Sequence, residues 1–159
     1  MRKTLPIIII IITIISLVFV VLYFKTKTGK LIIKEEIIED VKVVDQGNEL
    51  EKANLIRLTT PRPNEVIKSP LVIKGEARGN WYFEASFPVE LQDVNGVKIA
   101  EWYATAEGEW MTEEFVPFTT TLNFEIPAGM KSGTLILRKD NASGLPEHDD
   151  ALTIPVLFE

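Results

Sequence analysis

The sequence predicts an all-β domain, a two-layer sandwich of seven antiparallel strands, carried behind one transmembrane helix and a short stalk. Three observations lead there. An uncharged run of twenty residues lies near the N-terminus. Hydrophobic alternation with a period of two runs through the C-terminal two-thirds, and turn-forming residues interrupt it at short intervals.

The uncharged run begins at Leu5 and ends at Phe24, with Arg2 and Lys3 just ahead of it. Twenty apolar residues in a helix reach about 30 Å, the thickness of a bilayer core. Thr13 and Ser16 can return their hydroxyls to the helix backbone, so they cost little in lipid. Tyr23 falls where an aromatic ring suits the headgroup level, and Pro6 falls in the first turn, where a missing N–H does no harm. A cleavable signal peptide has an apolar core of roughly 7 to 15 residues followed by a small-residue cleavage site. Here Tyr23-Phe24-Lys25-Thr26-Lys27 follows, which points to an uncleaved signal anchor. Arg2 and Lys3 face Lys25, Lys27 and Lys30 across the run, so flanking charge does not set the orientation. Long domains translocate largely regardless of charge. The expectation is residues 1–4 in the cytoplasm, 5–24 in the bilayer and 25–159 outside a cell membrane crossed once.

Composition narrows the partners. The 17 basic side chains less Arg2 and Lys3 leave 15 against 23 acidic ones, a net of −8 after the run. That excludes a basic footprint for nucleic acid and disfavours docking on anionic lipid. With no cysteine there is no disulfide, no thiolate nucleophile and no Cys-type zinc site. His148 is the single histidine, so a zinc site has no second imidazole, and no cofactor or metal is expected.

Residues 25–53 read as the stalk. Ile33, Ile37, Val41 and Val44 recur at helical spacing with charged residues between them, a marginal helix or a short coiled coil, and Gln46-Gly47-Asn48 ends it. Residues 54–159 are enough for one core. Strand one is 55–60, followed by the turn Pro61-Arg62-Pro63-Asn64. In strand two, 70–78, Leu71, Ile73, Gly75 and Ala77 alternate with Val72, Lys74 and Glu76. In strand three, 83–92, Phe83, Ala85, Phe87, Val89 and Leu91 alternate with Glu84, Ser86, Pro88 and Glu90. Asn95-Gly96 signals a two-residue hairpin into strand four, 97–105. Strand five, 117–126, places Thr120, Leu122, Phe124 and Ile126 on one face. Turns at Pro127-Ala128-Gly129 and Lys131-Ser132-Gly133 lead into strand six, 133–139. Strand seven, 151–158, alternates Leu152, Ile154, Val156 and Phe158 with polar or exposed positions, and its Pro155 suits an edge or a bulge. Seven short strands with one dry face each indicate an immunoglobulin- or fibronectin-like sandwich.

Particular stretches carry a resemblance. Ser69-Pro70-Leu71-Val72-Ile73-Lys74-Gly75-Glu76-Ala77 leads into Trp81-Tyr82-Phe83-Glu84-Ala85-Ser86-Phe87-Pro88-Val89. Glu109-Trp110-Met111, Asn141-Ala142-Ser143-Gly144-Leu145-Pro146-Glu147 and Ile154-Pro155-Val156 follow. Together they resemble the immunoglobulin-like domain family named for bacterial spore germination proteins, over about 55–159. The resemblance implies an extracytoplasmic sandwich in a bacterial envelope, without catalytic residues.

Antiparallel alternation puts three connections, 79–82, 106–116 and 140–150, at one end of the sandwich. That end gathers Trp81, Tyr82 and Trp110 with Glu107, Glu109, Glu113, Glu114, Asp140, Glu147, Asp149 and Asp150. Aromatic rings beside carboxylates suit a cationic peptide, a stacked sugar or a calcium ion. The competing reading makes the two tryptophans core plugs and the carboxylates a solvated rim. Ser143, His148 and Asp150 share one loop, which is poor ground for a nucleophile–base–orienter line. Glu84 and Glu90, placed on one strand, would stand about 20 Å apart, too far for paired-carboxylate hydrolysis. The expectation is a non-catalytic binding or adhesion module whose partner is an envelope protein or cell-wall polymer. A structural accessory subunit of a membrane complex is the alternative, and an envelope hydrolase a distant third.

Overall fold

A computed structural model describes residues 16–24 and 45–159. Residues 16–24 are helical, and among the described residues no helix is long and apolar enough to cross a membrane. The first part of the predicted span and the periodic part of the stalk, including Ile33, Ile37, Val41 and Val44, lie outside the described residues.

Asp45–Glu159 is one compact unit. Its strands are β1 (Ile56–Thr60), β2 (Val66–Ile67), β3 (Leu71–Arg78), β4 (Ser86–Asp93), β5 (Lys98–Ala106), β6 (Phe115–Leu122), β7 (Ser132–Arg138) and β8 (Ala151–Phe158). They form a single 8-stranded sheet in the order β1-β3-β6-β5-β4-β7-β8-β2. The sheet curls on itself, so its two halves face each other across a shared core.

The seven-strand expectation is corrected at five places. An eighth strand is added: the expected first strand is present as β1 and pairs antiparallel with β3, then the chain crosses over at Pro61-Arg62-Pro63-Asn64 and β2, which was not expected, pairs in parallel with β8. Two residues are too short to show alternation, which hid β2 from the sequence. The two layers are also joined, because β5 pairs with β4 and then, through Thr105 and Ala106, with Thr119 and Phe118 of β6. Residues 83–85 do not begin a strand. Phe83 and Ser86 exchange backbone hydrogen bonds of 3.0 and 3.1 Å around Glu84 (φ 49°) and Ala85 (φ 63°). Finally, the β4–β5 hairpin is closed by Asp93, not by a bare two-residue turn. Its Oδ1 accepts the N–H groups of Asn95 and Val97, each at 2.8 Å, leaving a three-residue loop with Gly96 at φ 78°. Strand β6 also stops at Leu122, short of the expected 126.

Alternation puts Ile56, Ile73, Phe87, Val89, Leu91, Leu135, Leu137, Leu152 and Ile154 fully inside. Phe87 is the hinge of the packing. Its ring meets Phe118 edge-on at 4.9 Å and Tyr82 at 5.2 Å, contacts worth about 0.5–1.5 kcal/mol each beyond the area they bury.

The outer edge of β8 is covered one residue at a time. Asn48 Nδ2 donates to Ala151 O (2.9 Å), and the Thr153 N–H donates to Asn48 Oδ1 (2.8 Å). The Asn64 N–H donates to Pro155 O (2.7 Å), and the Leu157 N–H donates to Glu65 O (3.0 Å). Pro155 therefore sits where a missing N–H leaves nothing unmade. Residues 45–53, read from sequence as the end of the stalk, lie in this unit and supply part of the cover. Gly47 (φ 63°) passes so close that an added Cβ would fall 1.9 Å from Thr153 O, which makes glycine obligatory there. The helical turn Glu49–Lys52 is pinned by Glu49–Arg62 (2.6 Å) and Lys52–Asp150 (2.5 Å).

Candidate functional site

The connections β3–β4, β5–β6 and β7–β8 do meet at one end. The Asp140 N–H donates to Trp81 O (3.0 Å), and the Ala106 N–H donates to Ala85 O (2.9 Å). Gly79 lies against the β5–β6 loop so tightly that a Cβ would come within 2.2 Å of both Trp110 O and Thr112 O.

The aromatic residues separate once placed. Trp81 is fully buried, and its indole Nε1 has no hydrogen-bond partner. Tyr82 is 3 % exposed, and its hydroxyl donates to Val116 O at 2.7 Å. Burial pushes that hydroxyl far above the ordinary tyrosine range. Both side chains pack in the core: Trp81 presents no surface to a ligand, and Tyr82 reaches one only through the recess that it helps to line. Trp110 is half-buried against the core, and Met111 beside it is 74 % exposed. Together with Gly79, Asn80, Thr112 and Glu113 they line an open recess of about 460 Å³, with Tyr82 at its back.

The carboxylates do not converge. Glu109 Oε1 accepts the Met111 N–H (2.9 Å), Asp149 Oδ1 accepts Asn141 Nδ2 (2.7 Å), and Asp150 pairs with Lys52. Glu107, Glu113, Glu114 and Glu147 are exposed. Among the described residues no group of three acidic or imidazole side chains could hold a metal ion. Asp140 differs from the rest: burial, with the nearby charge of Glu84, raises its pKa above the ordinary aspartate value.

Two readings of catalytic potential change in detail. Ser143 Oγ does lie 2.9 Å from His148 Nδ1, so the loop brings those two together. The same hydroxyl group sits 2.5 Å from Asn141 Oδ1 and accepts the Leu145 N–H, while Asp150 is held by Lys52. The result is an exposed loop staple, and among the described residues no carboxylate continues the line from His148. Glu84 is in a turn, and Glu90 is 5 % exposed, bonded to Gln92 (2.5 Å) and Arg138 (3.2 Å). The two were never on one strand.

The sequence reading missed Trp102. It lies on β5 opposite Val89, on the core-facing side of the sheet, yet is 60 % exposed because β6 diverges from β5 there. Its position in a strand with neighbouring Tyr103 was visible, but the divergence was not.

The sheet is antiparallel except for the short β2–β8 pair, and it curls around one core, as an immunoglobulin-like domain requires. Residues 55–144, more than half the chain, match the family described as the immunoglobulin-like domain of bacterial spore germination, and the chain belongs to that family. Comparison with curated proteins and with solved structures finds no match.

Proposed function

We propose that this protein is a non-catalytic binding or adhesion module, displayed outside the cytoplasmic membrane of a bacterial envelope and held there by residues 5–24. The uncharged twenty-residue run supports the anchor, and the germination-related family supports the setting. The observation that carries the binding role is the recess where exposed Met111 adjoins half-buried Trp110, with Glu113 in its lining and the Glu109 carboxylate bonded to the Met111 N–H. An apolar spot with an acidic rim suits an envelope protein that presents an apolar side chain among basic ones. A photo-crosslinking side chain at Met111, in the full chain expressed in intact cells, tests this. The expected result is one envelope adduct that weakens when Trp110→Ala is added. No adduct above background from either Met111 or Glu109 overturns the reading. Exchanging 5–24 for an unrelated apolar span leaves the adduct intact on this reading and removes it if the protein is an accessory subunit held through its helix.

A further inference from the structure

We infer that the wedge between β5 and β6 is a saccharide-binding cleft, with Trp102 as its stacking platform. The cleft lies away from the Trp110–Met111 recess, so it goes beyond the function proposed above. Strands β5 and β6 pair only at Thr105–Thr119 and Ala106–Phe118 and then part. The opening between them is a recess of about 330 Å³ lined by Glu101, Trp102, Thr121, Leu122 and Asn123. That is at the small end of ligand pockets, which begin near ~300 Å³, and is room for a single sugar ring.

The chemistry of the lining selects the ligand class. Leu122 is 1 % exposed and forms the floor. Trp102, at 60 % exposure, offers an indole ring that a soluble domain ordinarily hides. Pyranose C–H groups carry partial positive charge and favour the negative face of such a ring. The Thr121 hydroxyl and the Asn123 amide make no hydrogen bond within the protein, and both can serve sugar hydroxyls. Glu101 adds acceptor oxygens, and its charge is met by Lys98 at 2.8 Å, so the cleft suits an uncharged ring.

An added β-strand is the rival occupant, and the edge argues against it. Thr120 Oγ1 already donates to Tyr103 O (2.8 Å), which fixes the direction in which the free groups of β5 point. By alternation Ile99 and Glu101 are the residues left with both backbone groups free to pair outward, since Tyr103 keeps only its N–H. Two residues carrying an ion pair alongside make a poor template for strand addition.

The test uses the full chain in sugar-free zwitterionic micelles, with the three indole N–H signals resolved by NMR and assigned by substitution. The probes are a β-1,4-linked N-acetylglucosamine trimer and cellotriose at millimolar concentration. The expected result is a saturable shift of the Trp102 indole signal by at least one probe, with those of Trp81 and Trp110 unmoved. Trp102→Ala abolishes binding, and Asn123→Ala weakens it about tenfold, the loss expected for one hydrogen bond to a ligand. No response to either trimer overturns the inference, and so does a response confined to Trp110. A shift of Ile99 and Glu101 amides by an extended peptide, with the sugars silent, overturns it in favour of strand addition.

Discussion

Trp81 and Trp102 show how little a residue type says about its role. Both are tryptophan on a strand-rich domain; one is wholly enclosed and the other mostly exposed. Trp81→Ala removes a large buried ring and is expected to cost about 3–5 kcal/mol, read as a fall in denaturation midpoint. Trp81→Phe keeps much of the volume and also deletes an indole donor that has no partner, so it costs less. Trp102→Ala is expected to leave the midpoint within about 0.5 kcal/mol of the parent. Glu90 carries a pH dependence. Burial would raise its carboxyl, but hydrogen bonds from Gln92 and Arg138, with the charges of Arg138 and Lys98, hold it below its ordinary value of 4.5. The folded state thus releases this proton more readily than the unfolded chain. The stability it supplies is present above the ordinary value and vanishes as pH falls through the lowered folded one. Melting curves taken from about pH 6 to about pH 3 are expected to show a shallower acid loss in Glu90→Gln than in the parent.

At the scale of elements, the contrast is between two sheet edges. The β8 edge is sealed by Asn48, Asn64 and Glu65, whereas β5 from Lys98 to Ala104 has no backbone partner on its β6 side and is met there only by Thr120 Oγ1 at Tyr103 O. An unsealed strand edge is a template for another chain unless it is short or charged, and the open part of β5 is both, carrying the Lys98–Glu101 ion pair. Asn48→Ala deletes two side-chain hydrogen bonds to Ala151 and Thr153, and its expected cost is about 1–3 kcal/mol. Hydrogen exchange localises the effect: the Thr153 amide loses protection while amides in β3 keep theirs. The helical turn Glu49–Lys52 is too short to hold itself together and depends on these contacts and on its ion pairs to Arg62 and Asp150.

For the whole molecule, the family match at 55–144 and the physical domain do not coincide. Strand β8 lies beyond the match, yet it buries Leu152, Ile154, Val156 and Phe158 in the common core. Four such side chains contribute about 6–12 kcal/mol of burial, comparable with the ~5–15 kcal/mol that separates folded from unfolded states. A chain cut after Gly144 is therefore expected to lose its cooperative melting transition and its β-type circular dichroism, whereas one beginning at Asp45 keeps both. Survival of folding after the cut would mean that β7 can serve as a sheet edge without its neighbour.

Period-two alternation at Leu71–Ala77, Phe87–Leu91 and Leu152–Phe158 was enough, by itself, to determine an all-β chain and most of its inward-facing residues. That pattern is local: each strand writes its buried face into its own residues. The uncharged run before Lys25 is likewise a local feature, legible in its own residues. Tertiary structure alone decided the two-residue strand β2, the closure of the layers through Thr105 and Ala106, and the fates of the three tryptophans. Those depend on which segments lie beside one another, and neither the parting of β5 from β6 nor the seal on β8 leaves a periodic trace in the residues that make it. The candidate site divides the same way. The meeting of three loops at one end follows from strand alternation, but whether a ring there faces water is set by what packs over it.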